Sequence, residues 1–300
     1  MPGKRNVEAD DETIKEVLQK KNTVKRLRGN GDFRSEECIE YLKECDICCT
    51  NPPFSLFASL FSLLVKYVNA EYPLRNKKAE SLIPADMRFP DILMKRDAAH
   101  LLQLILEKIC AGNAIVPVSG YRSLKEQSDI WNDSRRENGE DFTRKYVALP
   151  NHSEHQTGLA IDLGSNEEEI DFICPDFPYD GICDAFRKAA PDYGFIERYT
   201  KDKEAITGIA HEPWHFRYVG YPHSKIMQEK GLSLEEYTHF MKAHSEDKKY
   251  HFAQSHGAEI EVYYVPAEDD NTLIEIPENC IHQIYGNNVD GFVVTIWNKV

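Results

Sequence analysis

The sequence predicts an α+β fold, with a mixed helix-and-strand middle region followed by a small C-terminal β unit. Two patterns carry that prediction. Between Arg96 and Cys110, apolar residues fall at Ala98, Leu101, Leu102, Ile105, Leu106 and Ile109, the one-sided stripe of a helix packed on a core. Beyond Gly257 the apolar period shortens to two, over 259–265, over 272–276 and on both sides of 287–291, where Asp290-Gly291 is a hairpin signal.

In chain order, the first stretch is charged and helix-prone, with Ile14, Val17 and Leu18 on one face. Gly29-Asn30-Gly31 follows, then a helical pattern over 36–44. A short apolar run, Asp46-Ile47-Cys48-Cys49-Thr50, ends in Asn51-Pro52-Pro53-Phe54. The helix at 96–110 is expected to close at Gly112. Residues 114–118, 159–163 and 215–219 read as strands, and 124–136, 181–190, 222–230 and 234–244 as helices. Ser233 and Glu236 form the capping box that opens the last of these. The pieces are therefore 1–65, 66–246 and the β-rich 247–300.

Composition narrows the function classes. Apolar residues make up 41% and charged residues 29%, a globular balance. The net charge of −14 opposes a phosphate backbone, so no nucleic-acid partner is expected. The opening residues are charged throughout and lack the apolar core of a signal peptide, which predicts a cytoplasmic protein, with envelope association as the alternative. The longest apolar run, 52–65, falls short of the about 20 residues a membrane span needs. The 8 cysteines read as reduced thiols, and Cys45, Cys48 and Cys49 as packing residues rather than a metal cluster.

Chemistry concentrates in three short segments. Ser153-Glu154-His155-Gln156-Thr157-Gly158-Leu159-Ala160-Ile161-Asp162 sets an imidazole and a carboxylate either side of a glycine turn. His211-Glu212-Pro213-Trp214-His215 adds a second imidazole and a spare carboxylate. His155, Asp162 and His215 together make a two-nitrogen, one-oxygen set with a position left open, the arrangement of catalytic rather than structural zinc. One zinc per chain is expected. Glu212 is then free to take a proton from the attacking water. Ser119-Gly120-Tyr121-Arg122-Ser123 places a guanidinium just after a strand, suited to a developing oxyanion. The second segment also spells the helical His-Glu-x-x-His pattern, but Pro213 between the histidines disfavours a helix, which sets His211 aside.

These segments resemble the zinc D-alanyl-D-alanine carboxypeptidases and dipeptidases of the vancomycin-resistance type. That family's Ser-x-His-x-x-Gly-x-Ala-x-Asp is met at 153–162, its Glu-x-x-His at 212–215 and its Ser-Gly-Tyr-Arg-Ser at 119–123. The resemblance runs from about Val68 to Met241. It implies a small domain whose antiparallel sheet carries the metal, and a peptide ending in D-Ala-D-Ala as substrate. It also implies His155, Asp162 and His215 as zinc ligands, Glu212 as acid/base and Arg122 as transition-state stabiliser. Gln127 and Ser153 sit where the family has pocket residues, and Trp214 is expected to line the pocket. An L,D-carboxypeptidase or cell-wall endopeptidase would share these ligands. A non-catalytic zinc module would need neither Glu212 nor Arg122.

The first piece resembles a different family. Gly29-Asn30-Gly31-Asp32-Phe33-Arg34-Ser35, followed by 46–57, is similar to adenine-specific DNA methyltransferases. In those enzymes Asn-Pro-Pro-Phe, here Asn51 to Phe54, accepts hydrogen bonds from a flipped adenine. About 65 residues cannot hold their cofactor-binding sheet, so 1–65 reads as a fragment without independent function.

Overall fold

The computed structural model describes the backbone of 22–28 and residues 67–74, 81–253, 259–268, 271–277 and 280–298. The expected helices before Asn22 and at 36–44, the cysteines at 38–49 and the Asn51–Phe54 motif lie outside the described residues.

Strand β1 (Asn22–Arg28) is followed by a hairpin of β2 (Leu82–Asp86) and β3 (Phe89–Lys95). Pro84 and Pro90 interrupt the strand pattern of that hairpin, and proline lowers any expectation of a ladder. Helix α1 (Arg96–Lys108) buries Ala98, Leu101, Leu102, Ile105 and Leu106 of the stripe read from the sequence, and Ala99 beside them, while Ile109 falls at its C-cap. It stops short of Gly112, because Cys110 already turns to φ 55°.

β4 (Ile115–Ser119) leads through the Ser123–Glu126 capping box into α2 (Leu124–Asn138) and then α3 (Glu140–Tyr146). A 3-10 turn, Glu154–Thr157, enters β5 (Ala160–Ser165). After α4 (Gly181–Ala189) come β6 (Phe195–Tyr199) and β7 (Glu212–Tyr218), then α5 (His223–Lys230) and α6 (Leu234–Met241). The four strands form one antiparallel sheet in the order β4-β5-β7-β6.

The C-terminal strands are β8 (Tyr250–Ala253), β9 (Glu259–Pro266), β10 (Asn271–Pro277), β11 (Ile281–Gly286) and β12 (Gly291–Trp297). Four of them make a sheet in the order β11-β12-β9-β8, while β10 pairs antiparallel with β1. Alternation along the strands gives this sheet two buried faces. Ile260, Val262 and Val293 join the main core with Leu102, Ile105, Phe186 and Phe216. Their neighbours Tyr263, Phe292 and Val294 pack with Ile274 and Ile276 of β10 in a second cluster. His223 joins the two parts: its Nδ1 lies 2.6 Å from the Tyr237 hydroxyl and its Nε2 3.3 Å from Oγ1 of Thr295 on β12. Among the described residues, no helix is long and apolar enough to cross a membrane.

Candidate active site

The site is built by register. Asp162 on β5 pairs directly with His215 on β7, and Ser119 on β4 pairs with Asp162 from the other side. Cross-strand partners point to the same face, so one row of the sheet carries both ligand types. His155 reaches that face from the 3-10 turn, which Gly158 ends at φ +71°. A Cβ at Gly158 would meet Leu82 Cδ2 at 2.9 Å, so the sharp entry into β5 requires glycine. The ligand atoms of His155, Asp162 and His215 then lie within 4.8 Å of one another, all buried.

Hydrogen bonding settles which nitrogen of His155 carries the proton. His155 Nδ1 lies 2.7 Å from the Gly120 carbonyl, which can only accept, so Nδ1 holds the proton and Nε2 is left facing Asp162 Oδ2 at 3.2 Å. His215 Nδ1 lies 2.9 Å from Asp162 Oδ1. Two imidazole nitrogens and a carboxylate oxygen thus converge, a donor set fit for a divalent metal ion. Burial raises the Asp162 carboxyl, but the two histidines outweigh it and hold the group well below the usual carboxylate range.

Glu212 and His215 are three apart on one strand, where regular alternation would set them on opposite faces. The β6–β7 register shifts between Glu197 and Tyr199, and Glu212 Oε2 comes to 3.7 Å from His215 Nδ1. Burial pushes the Glu212 carboxyl up to about 8, against the pull of His215. A base is most effective with its pKa near the working pH. Arg122 donates from Nε to Ser119 Oγ at 2.8 Å and from Nη2 to Asp162 Oδ2 at 3.0 Å.

Arg122, Ser153, His155, Asp162, Glu212, Trp214 and His215 all line one pocket. Gln127 does not; it is fully buried behind Arg122, accepting from Nη1 at 3.5 Å and donating to the Ala148 carbonyl at 2.8 Å. His211 points elsewhere, with Nε2 2.6 Å from the Tyr179 hydroxyl. His152 bonds the Asn69 carbonyl.

Sequence reasoning missed the pocket wall formed by Tyr146, Phe172, Ile173, Tyr199 and Ile209. Tyr199 packs its ring on His215 with centroids 4.9 Å apart. It also missed Glu154, although that residue lies inside the first motif. Nothing in the spacing marks it, because its partners Arg198 and Arg217 come from β6 and β7.

A buried His/Asp/His cluster with an adjacent carboxyl and guanidinium on one pocket defines a hydrolytic enzyme. The model of the D-alanyl-D-alanine carboxypeptidase family VanY matches residues 91–221. The bifunctional D-Ala-D-Ala dipeptidase and carboxypeptidase VanXYC of Enterococcus gallinarum is 40% identical over 179 residues, spanning 59% of this chain and 94% of that protein. This chain belongs to the VanY-type D-alanyl-D-alanine carboxypeptidase family. The crystal structure of the vancomycin resistance D,D-dipeptidase VanXYg, in complex with a D-Ala-D-Ala phosphinate analog, superposes with a TM-score of 0.80 at 62% identity, covering 92% of this chain and 99% of that one. A separate family model, the adenine-specific methyltransferase EcoRI, matches residues 3–72. The type II methyltransferase M.MgeORF184P of Mycoplasma genitalium is 57% identical over 47 residues, 16% of this chain and 15% of that enzyme.

Proposed function

We propose that this chain is a zinc-dependent D,D-peptidase acting on the C-terminal D-Ala-D-Ala of peptidoglycan precursors, as carboxypeptidase, dipeptidase or both. The observation that carries the reading is the convergence of His155, Asp162 and His215 beside Glu212 and Arg122 in one pocket. Kinship with VanXYC, named for both activities, supports the substrate.

His155, Asp162 and His215 would hold the zinc, which when bound activates water and polarises the scissile carbonyl. Glu212 takes the proton of the attacking water, and its raised pKa lets it hand that proton on to the leaving amine near neutral pH. Arg122, fixed by Ser119 and Asp162, presents its charge to the oxyanion that forms at the carbonyl. Ser153 and Trp214 contribute to the walls that orient the peptide. Incubation of the purified protein with D-Ala-D-Ala, and separately with a pentapeptide ending in it, should release D-alanine in a chelator-sensitive way. No release from either substrate by zinc-loaded protein would overturn the reading.

Residues 1–65 we read as a methyltransferase-like fragment without activity of its own. The support is that the match to M.MgeORF184P spans only 15% of that enzyme.

A further inference from the structure

Glu154 sits between Ser153 and the ligand His155, yet its carboxylate serves the other histidine. Its Oε2 lies 3.4 Å from His215 Nε2, the nitrogen opposite the one facing Asp162. Its Oε1 accepts a hydrogen bond from Arg198 Nε at 2.9 Å and forms an ion pair with Arg217, whose Nη1 lies 3.0 Å away. Arg198 continues to Glu235 on α6, at 2.9 Å from Nη1 and 2.5 Å from Nη2. The side chains of both arginines are 0% exposed and that of Glu154 is 1% exposed.

Buried ion-pair networks of this kind are poor sources of stability, because desolvating the charges offsets most of their attraction. One that ends on a metal-ligand histidine has a different use. We infer that Glu154 is a positioning residue, which keeps the proton on His215 Nε2 and thereby turns the Nδ1 lone pair toward His155 and Asp162. With two guanidinium groups against it, the Glu154 carboxylate only accepts, so Nε2 keeps its hydrogen, and Nδ1, on the side of His155 and Asp162, is the nitrogen a metal ion would take in place of a proton. Outer carboxylates of this sort set the tautomer and ring orientation of a metal-binding histidine and raise its basicity. Adjacent residues on one turn thus have separate roles, His155 as a ligand and Glu154 as the group that prepares another ligand 61 positions away.

The inference rests on the metal site proposed above, and its test separates the two. Zinc affinity is measured by chelator competition on wild type, Glu154→Gln, Glu154→Asp and Glu235→Gln. Glu154→Gln should weaken zinc binding by about 10- to 100-fold, with part of the loss restored by the carboxylate of Glu154→Asp. Glu235→Gln breaks the same network one ion pair farther out, so it should lower the melting temperature and leave zinc affinity unchanged. A folded Glu154→Gln with wild-type affinity overturns the inference, as does an equal loss in Glu235→Gln. Should the Glu154 variants fail to fold, wild type labelled with 15N-histidine and loaded with cadmium-113 decides alone. Metal coupling must then appear on His215 Nδ1, and coupling on Nε2 refutes the assignment. A wild type that takes up neither metal would defeat the metal site itself, a result distinct from either of these.

Discussion

Asp162 and His215 are direct cross-strand partners, and Asp162 Oδ1 lies 2.9 Å from His215 Nδ1. The other oxygen of the same carboxylate meets His155 Nε2 at 3.2 Å and Arg122 Nη2 at 3.0 Å. One aspartate therefore ties both histidines to the arginine.

The first prediction follows from that shared carboxylate. Wild type should hold one zinc per chain, and His155→Ala, Asp162→Ala and His215→Ala should each lose most of it. Asp162→Ala should be the most damaging, because it also frees Arg122 from its anchor. Elemental analysis of the four proteins checks this, and undiminished zinc in all three variants would contradict the ligand set.

Glu212→Gln should retain zinc and fold while kcat falls by about 10²- to 10⁴-fold, the usual worth of a positioned acid/base group. His211→Ala should stay close to wild type, since His211 bonds Tyr179 and Glu204 rather than the cluster. Steady-state kinetics with metal content measured on the same samples gives the answer. A swapped pattern would move the base to position 211.

Arg122→Lys should lower kcat by about 10²- to 10³-fold, the scale seen when one oxyanion donor is removed. A lysine keeps the charge but cannot reach Ser119 and Asp162 with separate donors as the guanidinium does. Turnover near that of wild type would show that charge alone suffices.

Acid should destabilise the junction at His223. Burial holds its pKa down at about 3, so the ring is neutral when folded and gains a proton on unfolding below the ordinary value near 6.5. Its contribution is therefore complete above pH about 6.5 and is lost progressively as pH falls toward 3, at about 1.4 kcal/mol per pH unit. Denaturant melts of wild type and His223→Gln between pH 7 and 4 should show a shallower decline in the variant. Parallel curves would assign the acid sensitivity to other groups.

Deleting residues 1–65 should spare activity, because no assigned site group lies before Arg122. It removes β1, however, and bares the edge of β10 along the ladder from Asn271 to Pro277. An unpaired edge invites association with another chain, so the truncated protein should self-associate more. Light scattering and D-alanine release, compared with the full chain, test both halves. Loss of turnover in soluble truncated protein would show that the first piece supports the site.

Much of this architecture is legible in local pattern. The stripe at Ala98, Leu101, Leu102, Ile105 and Leu106 forms the buried face of α1, and the capping box at Ser233 opens a helix. The Asp290-Gly291 signal sits at the turn between β11 and β12. Elements that break local rules escaped. The β2–β3 hairpin carries a proline in each strand, and β6 buries Arg198, which no alternating apolar pattern announces.

By itself the sequence determined the chemical inventory: two imidazoles, two carboxylates and a guanidinium in three ordered motifs, with Pro213 enough to set the helical reading aside. Only tertiary structure decided how those groups meet. The β5–β7 register put Asp162 opposite His215, and the irregular β6–β7 pairing brought Glu212 to the same face. Contacts across 35, 53 and 61 positions set the Gly120 carbonyl against His155 Nδ1, Asp162 against His215 Nδ1 and Glu154 against His215 Nε2. The physical reason is range: helix stripes and caps are written within a few residues, whereas a tautomer or a buried charge depends on whichever group the folded chain brings against it.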